Sequence, residues 1–582
     1  MKFIARIAAK NPVFLSLSKF FSFIYSCLLF CVFLFIHQPV LVAQPNNKEP
    51  KKHFDTKPKL VVGIVVDQMR PDYVERFWER LGNKGLKRLI SEGYNCKNTQ
   101  FNYVPTYTAP GHASIYTGTT PSVHGVIGNQ WYHTGLGKVV YCTGDTLAKA
   151  LGGNLEAGKM SPRNLLSTTI TDELKLLTNF KSKVIGISLK DRGAILPAGH
   201  TADAAYWYDG VTGNFMSSDF YFDVLPEWVT AFNNLKYPEK YQQQNWETLF
   251  PIHTYTQSRP DNQPYEETLW GETAPVFPHK TPDIVNARRG GFEVVKCTPY
   301  GNTLLKDFAI AAIEKEQLGK TIGITDFIAI SFSSTDVIGH IYGPRSIEIE
   351  DTYLRFDKDI EDLLQFLDNY LGLDNTLIFM TADHAVADVA EFAKSVSIPA
   401  GNFNKTEPVR LLKSYLSEKY SDSLVVSVIN EQIYFNHRII AQKKLPLHQI
   451  QEETARFMLQ FEGVAFALPA YMLSYHSYTD WPRFCIQNGF YPKRSGDVAF
   501  ALQPGWMEGD YAGTTHGSSY TYDAHVPLYW FGWKIPKGKS SSSLVYITDI
   551  APTLAILLKT AFPNSCTGKP ISDLLEFCDV ED

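Results

Sequence analysis

The 582-residue chain has no Cys-x-x-Cys pair, no internal repeat, no low-complexity tract and no run of Lys or Arg beyond two or three. The first absence removes thiolate zinc sites, whose ligands come in closely spaced pairs. The next two remove solenoids, propellers and compositionally biased tails. The last, with acidic and basic residues interspersed at a net charge of -5, leaves no electrostatic footprint for nucleic acid, so none is expected as a structural partner. Cysteine is scarce at eight residues. Six of them, Cys96, Cys142, Cys297, Cys485, Cys566 and Cys578, are widely spaced and even in number; disulfides are allowed, with the pairing open. What is abundant is apolar surface: 44% of residues are hydrophobic, enough for one very large α/β domain or several ordinary ones.

The N-terminus differs from the rest. Lys2, Arg6, Lys10 and Lys19 precede an apolar run from Phe20 to Ile36, and small residues follow up to Ala43. The run is long for a signal and short for a spanning helix. Residues 1–43 therefore read as an export signal cleaved after Ala43 or as a retained membrane anchor, and either placement puts the remainder in the periplasm or on the outer cell surface. A polar linker, 44–58, leads to a single catalytic domain over 59–582.

Within that domain, the apolar run Leu60 to Val66 has the length and β-branching of a buried parallel strand. Similar runs start near 182, 325, 375 and 525, with amphipathic helical patterns such as 303–318 and 351–371 between them. This alternation predicts an α/β fold: a doubly wound, mostly parallel central sheet with helices on both faces. Two regions break the alternation, about 206–295 and 388–505, and are expected as insertions forming a cap.

Open α/β sheets bind ligands beyond the carboxyl ends of their strands. Asp67 ends the first run, Lys190 and Arg192 the second; Asp336 and His340 follow the third, Asp383 and His384 the fourth; His516 precedes the last. Singly, a strand-end Asp is a helix cap or turn former. Together, three carboxylates and three imidazoles without thiolates suit one or two divalent metals, and the i, i+4 spacing of Asp336 and His340 places both on one face. Thr108, just before Ala-Pro-Gly, stands at an expected helix N-terminus, where Pro is tolerated and the unpaired N–H groups favour an anion. Its hydroxyl could serve there as cap and as nucleophile.

The ordered set Asp67, "TAPGHASIYTGTTPSVHG", "GNQWY", "KDR", "STDVIGH", "TADH" and "TTHGSSY" resembles the two-zinc alkaline phosphatase superfamily, specifically its threonine-nucleophile, phosphate-irrepressible bacterial alkaline phosphatases, from about residue 60 to 560. The resemblance implies one zinc on Asp336, His340 and His516 and a second on Asp67, Asp383 and His384 that also binds Thr108. It implies that Asn129, Lys190 and Arg192 hold phosphoryl oxygens, and gives His112 and His124 only supporting or packing roles. The magnesium-site residues of the serine branch are not evident, so a third metal is not expected. The implied reaction is hydrolysis of small phosphate monoesters through a covalent phosphothreonine. Charge supports the choice of ester: two divalent cations, three aspartates and an alkoxide cancel, and Lys190 with Arg192 leaves two positive charges, which match a monoester dianion. Without that pair the balance suits a diester monoanion, as in the related nucleotide pyrophosphatase/phosphodiesterases. That diesterase activity is one alternative; a non-catalytic zinc-binding surface protein is the other. A sulfatase would need Cys or Ser in a Cys-x-Pro-x-Arg context, which is absent here.

Overall fold

The computed structural model describes residues 57–578 apart from 289–290 and 510. The segment read as signal or anchor lies outside the described residues, and among those described no helix is long and apolar enough to cross a membrane. A mixed ten-stranded sheet forms the frame. Four of its strands are the apolar runs β1 (Leu60–Val66), β2 (Val184–Ser188), β3 (Asp326–Phe332) and β4 (Thr376–Thr381), every residue of which is buried. They pair in parallel in the order β4, β1, β3, β2. The last apolar run becomes β5 (Leu528–Gly532) and lies antiparallel to β4, so the sheet is parallel in its centre and mixed toward the edge.

Helices cover both faces, as aromatic contacts on one strand show. Tyr116, from the helix Thr108–Thr117, packs edge-on against Phe327, while Phe356, from the helix Ile347–Tyr370, packs against Phe332. Positions 327 and 332 are five apart in β3 and so point to opposite sides of the sheet.

The two irregular regions behave differently. Ala204–Asp209 joins β2 in parallel and turns into Asn214–Ser218, so the sheet continues into the region read as an insertion from 206. Beyond it, Val229, Phe232, Trp246, Leu269, Ile284 and Val294 are buried in the main core. The region from 388 to 505 instead builds a four-stranded antiparallel sheet from Val425–Ile429, Gln432–Phe435, Val498–Leu502 and Val464–Pro469, with its own core around Leu412, Ile433, Ile450 and Val498. Cys96, Cys142, Cys297, Cys485 and Cys566 are thiols, not half-cystines. Burial raises the thiol pKa of Cys96, Cys142 and Cys297 to about 12, which keeps them protonated and inert.

Candidate active site

The carboxyl ends of the four central strands deliver the polar residues in one row. Asp383 and His384 follow β4, Asp67 follows β1, Asp336 and His340 lie on the short helix Ser334–Tyr342 after β3, and Lys190 and Arg192 open the helix Asp191–Ala198 after β2. Neighbouring strands are about 4.8 Å apart, so this order alone forces three carboxylates together. Asp67, Asp383 and His384 are fully buried, and Asp336 is 5% exposed.

Two groupings result. His384 Nε2 lies 3.3 Å from Asp67 Oδ1 and 3.7 Å from Asp383 Oδ2, so donor atoms of Asp67, Asp383 and His384 converge within 4.8 Å of one another. Asp336 Oδ1 is 3.1 Å from His340 Nε2 and 3.6 Å from His516 Nε2. The second convergence includes His384 beside Asp336 and His516, because the His384 and His516 rings stack at 3.5 Å. All six sequence-predicted acidic and imidazole residues thus meet in one place.

Whether this set suits metal cations is decided by its hydrogen bonds. The Nδ1 atoms of His340, His384 and His516 sit 2.7, 3.0 and 2.7 Å from the carbonyl oxygens of Thr514, Ala385 and Thr106. A carbonyl only accepts, so each ring carries a proton on Nδ1 and turns its Nε2 toward a carboxylate. Against burial, Asp383 and Asp67 raise the His384 pKa to about 9, so Nε2 either donates to the row as an imidazolium or, unprotonated, needs a cation between its lone pair and the carboxylates. Asp67 Oδ1, Asp383 Oδ2 and His384 Nε2 are buried and have no hydrogen-bond partner, which is costly for a polar group unless something else satisfies it. Burial and the neighbouring Asp67 charge push the Asp383 carboxyl well above the usual carboxylate range, so this carboxylate stays ionised at neutral pH only with further positive charge beside it. The donor set, three aspartates and three Nε2 atoms, fits two small divalent cations.

The one ammonium inside the row is Lys190. Its Nζ donates to Asp67 Oδ2 at 2.6 Å and Asp336 Oδ2 at 2.5 Å. Burial opposes its charge, but Asp336 and Asp67 hold its pKa above the ordinary lysine value. Burial also acts on the Asp67 carboxyl, yet Lys190 and His384 bring it down to about 2. Arg192 is placed differently: its Nη1 donates to the Tyr141 hydroxyl at 3.0 Å, and that hydroxyl, with Thr143, donates to Asp191. Its Nη2 lies 3.5 Å from Thr108 Oγ1. Tyr141 comes from the hairpin Gln130–His133/Lys138–Tyr141 and had no signal in the sequence.

Thr108 is the first residue of its helix, 2% exposed. Tyr107 occupies the N-cap position and its side chain makes no cap hydrogen bond; the Thr108 hydroxyl lies inside the helix and does not cap it, and that part of the sequence reading is corrected. The helix N–H at Ala109 is taken instead by Asn129 Oδ1 at 2.9 Å. This bond fixes the carboxamide orientation and leaves the Asn129 NH₂ as the group's donor. His112 Nδ1 meets the Thr108 carbonyl at 2.8 Å and its Nε2 meets Ser331 at 2.9 Å; burial lowers its pKa to about 4. His124 is bound to Ser114 and to the Val126 N–H, and burial lowers it to about 3. Both are neutral packing histidines.

The proline and glycine after Thr108 also find their reason. Pro110 sits in the first helical turn, where a missing N–H costs nothing. Gly111 presses on the metal-type site itself, for a Cβ there would stand 2.2 Å from the Asp383 carbonyl oxygen and 2.8 Å from its Cβ. Gly111→Ala should push Thr108 away from Asp383. We expect roughly 10²-fold loss of kcat, the scale for about 1 Å of misplacement, with a lowered melting temperature; kinetics and thermal denaturation on one preparation check both.

Residues 61–526 match the family model for type I phosphodiesterase / nucleotide pyrophosphatase. Among curated relatives, alkaline phosphatase PhoV of Synechococcus elongatus is 44% identical over 89% of this chain and 93% of its own length. Alkaline phosphatase PafA of Elizabethkingia meningoseptica is 41% identical over 92% and 97%. A Myroides odoratus protein named calcium-transporting ATPase is 46% identical over 89% and 95%. The crystal structure of wild-type PafA superposes with a TM-score of 0.86, covering 89% of this chain and 99% of that one. A PafA variant with a threonine, an asparagine, a lysine and an arginine replaced superposes at 0.85. The chain belongs to the type I phosphodiesterase / nucleotide pyrophosphatase family and, with it, to the alkaline phosphatase superfamily.

Proposed function

We propose that the protein, an alkaline phosphatase, hydrolyses phosphate monoesters in two displacements through a phosphothreonine at Thr108, with zinc ions at the two carboxylate-imidazole groupings. The observation that carries this reading is the convergence of Thr108, Arg192 and six metal-type donors on one buried sheet edge. The four residue types replaced in the PafA variant, threonine, asparagine, lysine and arginine, are those of Thr108, Asn129, Lys190 and Arg192 in the same chain order.

One cation would be held by Asp67, Asp383 and His384 beside Thr108, the other by Asp336, His340 and His516. When bound, such ions acidify a nearby hydroxyl or water and neutralise charge on phosphoryl and leaving-group oxygens. In the first displacement Thr108 Oγ1 forms a bond to phosphorus while the ester P–O bond breaks and the alcohol oxygen departs with the electron pair. Arg192 Nη2, a permanent donor aimed at Oγ1, favours that oxygen in its anionic form and then follows it onto the transferred phosphoryl group. In the second, a water oxygen bonds to phosphorus and the P–Oγ1 bond breaks, releasing phosphate and restoring Thr108. Asn129 offers its NH₂ to a phosphoryl oxygen. Lys190, were cations to occupy Asp67 and Asp336, would be free to pair with another phosphoryl oxygen. Tyr141 and Asp191 are positioning residues that hold Arg192. The signal-like segment 1–43 supports action outside the cytoplasm.

Metal analysis and chelation test the reading. We expect two zinc ions per chain, loss of monoester hydrolysis on chelation and recovery on adding zinc. A metal-free preparation turning over at full rate would overturn it.

A further inference from the structure

Beside the active site lies a cavity of about 310 Å³. It shares Tyr107 and His516 with the site and is walled on its other side by the separate sheet of the 388–505 region. Its aromatic lining includes Trp506, Tyr520 and Tyr522, and three carboxylates reach it, Glu431, Glu508 and Asp523. One lysine, Lys405, offsets them, and it is already paired with Glu508.

Two features separate this cavity from an ordinary solvated acidic patch. Asp523 is 2% exposed; its Oδ2 accepts from the Ser518 N–H and hydroxyl, yet its Oδ1 is buried without any hydrogen-bond partner. Glu431 stands at the tip of the hairpin joining Val425–Ile429 to Gln432–Phe435, where Asn430 and Glu431 both have φ of +53°. Such a turn favours Asn-Gly; a glutamate there is strained, and strain retained at a cavity points to use. The tip is pinned toward the catalytic end by Asn430, which donates to the Gln130 carbonyl at 2.7 Å, next to Asn129. The Glu431 carboxyl meets the Tyr107 phenol, adjacent in the chain to Thr108.

We propose that this cavity seats the alcohol portion of the substrate and selects phosphate monoesters whose alcohol carries an ammonium group, either a protonated amine or a quaternary ammonium. The inference rests on the monoesterase reading and refines its substrate class. Aromatic faces attract a cation through their quadrupoles; burial raises the Glu431 and Asp523 carboxyls to about 7, so they ionise and add Coulomb attraction at alkaline pH or when a cation enters beside them. A second phosphate or a carboxylate on the substrate meets the same charge as repulsion.

Phosphocholine and its uncharged isostere, 3,3-dimethylbutyl phosphate, separate charge from shape. The ammonium alcohol leaves more readily in any surroundings, so the readout is how substitution changes the ratio of the two kcat/KM values, that intrinsic difference being common to all variants. We expect Glu431→Gln with Glu508→Gln to lower the ratio about tenfold, which corresponds to about 1.4 kcal/mol. Lys405→Met, which frees Glu508, should raise it severalfold. A ratio unchanged in both variants overturns the proposal while leaving the monoesterase reading intact. No turnover of either ester by the zinc-loaded wild type overturns both.

Discussion

Thr108→Ala should abolish monoester turnover while leaving the protein folded and metal-loaded. The residue is 2% exposed, and its hydroxyl has as its protein partner only the 3.5 Å contact from Arg192 among the described residues. Losing so weak a contact costs about 1 kcal/mol of stability or less. The kinetic loss should be far larger if Thr108 is the proposed nucleophile, since its removal would force direct attack by water: subtilisin loses roughly 10⁶ in kcat without its serine, and we expect at least about 10³ here. Thr108→Ser keeps the hydroxyl and should retain most of the activity, and acid quenching with excess substrate should trap phosphate on wild type and Thr108→Ser but not on Thr108→Ala. A fully metallated Thr108→Ala enzyme within tenfold of wild type would rule out the phosphothreonine route.

How far this site could be read in advance depended on what each residue answers to. Asp67, Asp336 and Asp383 were legible because an apolar strand must end at the sheet edge, and the residue after that end is placed by the backbone alone. His516 was legible only as a loop residue that the other five implied. The capping role of Thr108 failed because the helix begins at Thr108 itself, and Asn129, twenty-one positions later, covers the next N–H. Most of Ala204–Asp209 and all of Asn214–Ser218 fell in the stretch read as an insertion, about 206–295, because its Tyr, Trp, Pro, Asn and Gln break the aliphatic pattern, yet aromatics suit a buried strand as well as Val does.

Gln68 gave no signal at all. It sits at a φ of +68°, 1% exposed, with its N–H on Asp383 Oδ1 at 3.3 Å and its amide nitrogen on Asp336 Oδ1 at 2.9 Å. It is a strained residue bridging two proposed ligands of different cations, and nothing in one sequence distinguishes it from any polar residue after a strand. Tyr141 and Asp191 escaped for the same reason, since their value lies in a contact across about fifty residues.

The double substitution Lys190→Ala with Arg192→Ala should change the kind of ester hydrolysed more than the ability to hydrolyse. A monoester dianion brings two negative charges to a site whose aspartates and alkoxide the two proposed divalent cations would cancel, so on that reading it depends on both side chains. Each desolvated donor aimed at developing charge is worth about 2.7 to 4 kcal/mol, or roughly 10² to 10³ in rate, so the pair should cost at least about 10³ on an aryl phosphate monoester. A diester carries one charge and replaces a phosphoryl oxygen with a second ester group, and so should lose at most about tenfold. Both side chains are well placed to make this a clean test: Lys190 lies against two carboxylates that the cations would claim, and Arg192 is held by Tyr141 independently of them. Equal losses on the two esters would mean that the pair serves to assemble the acidic row and not to read the charge of the substrate. Zinc content measured on the same preparations separates those outcomes, because a pair that only assembles the row would lose metal along with rate.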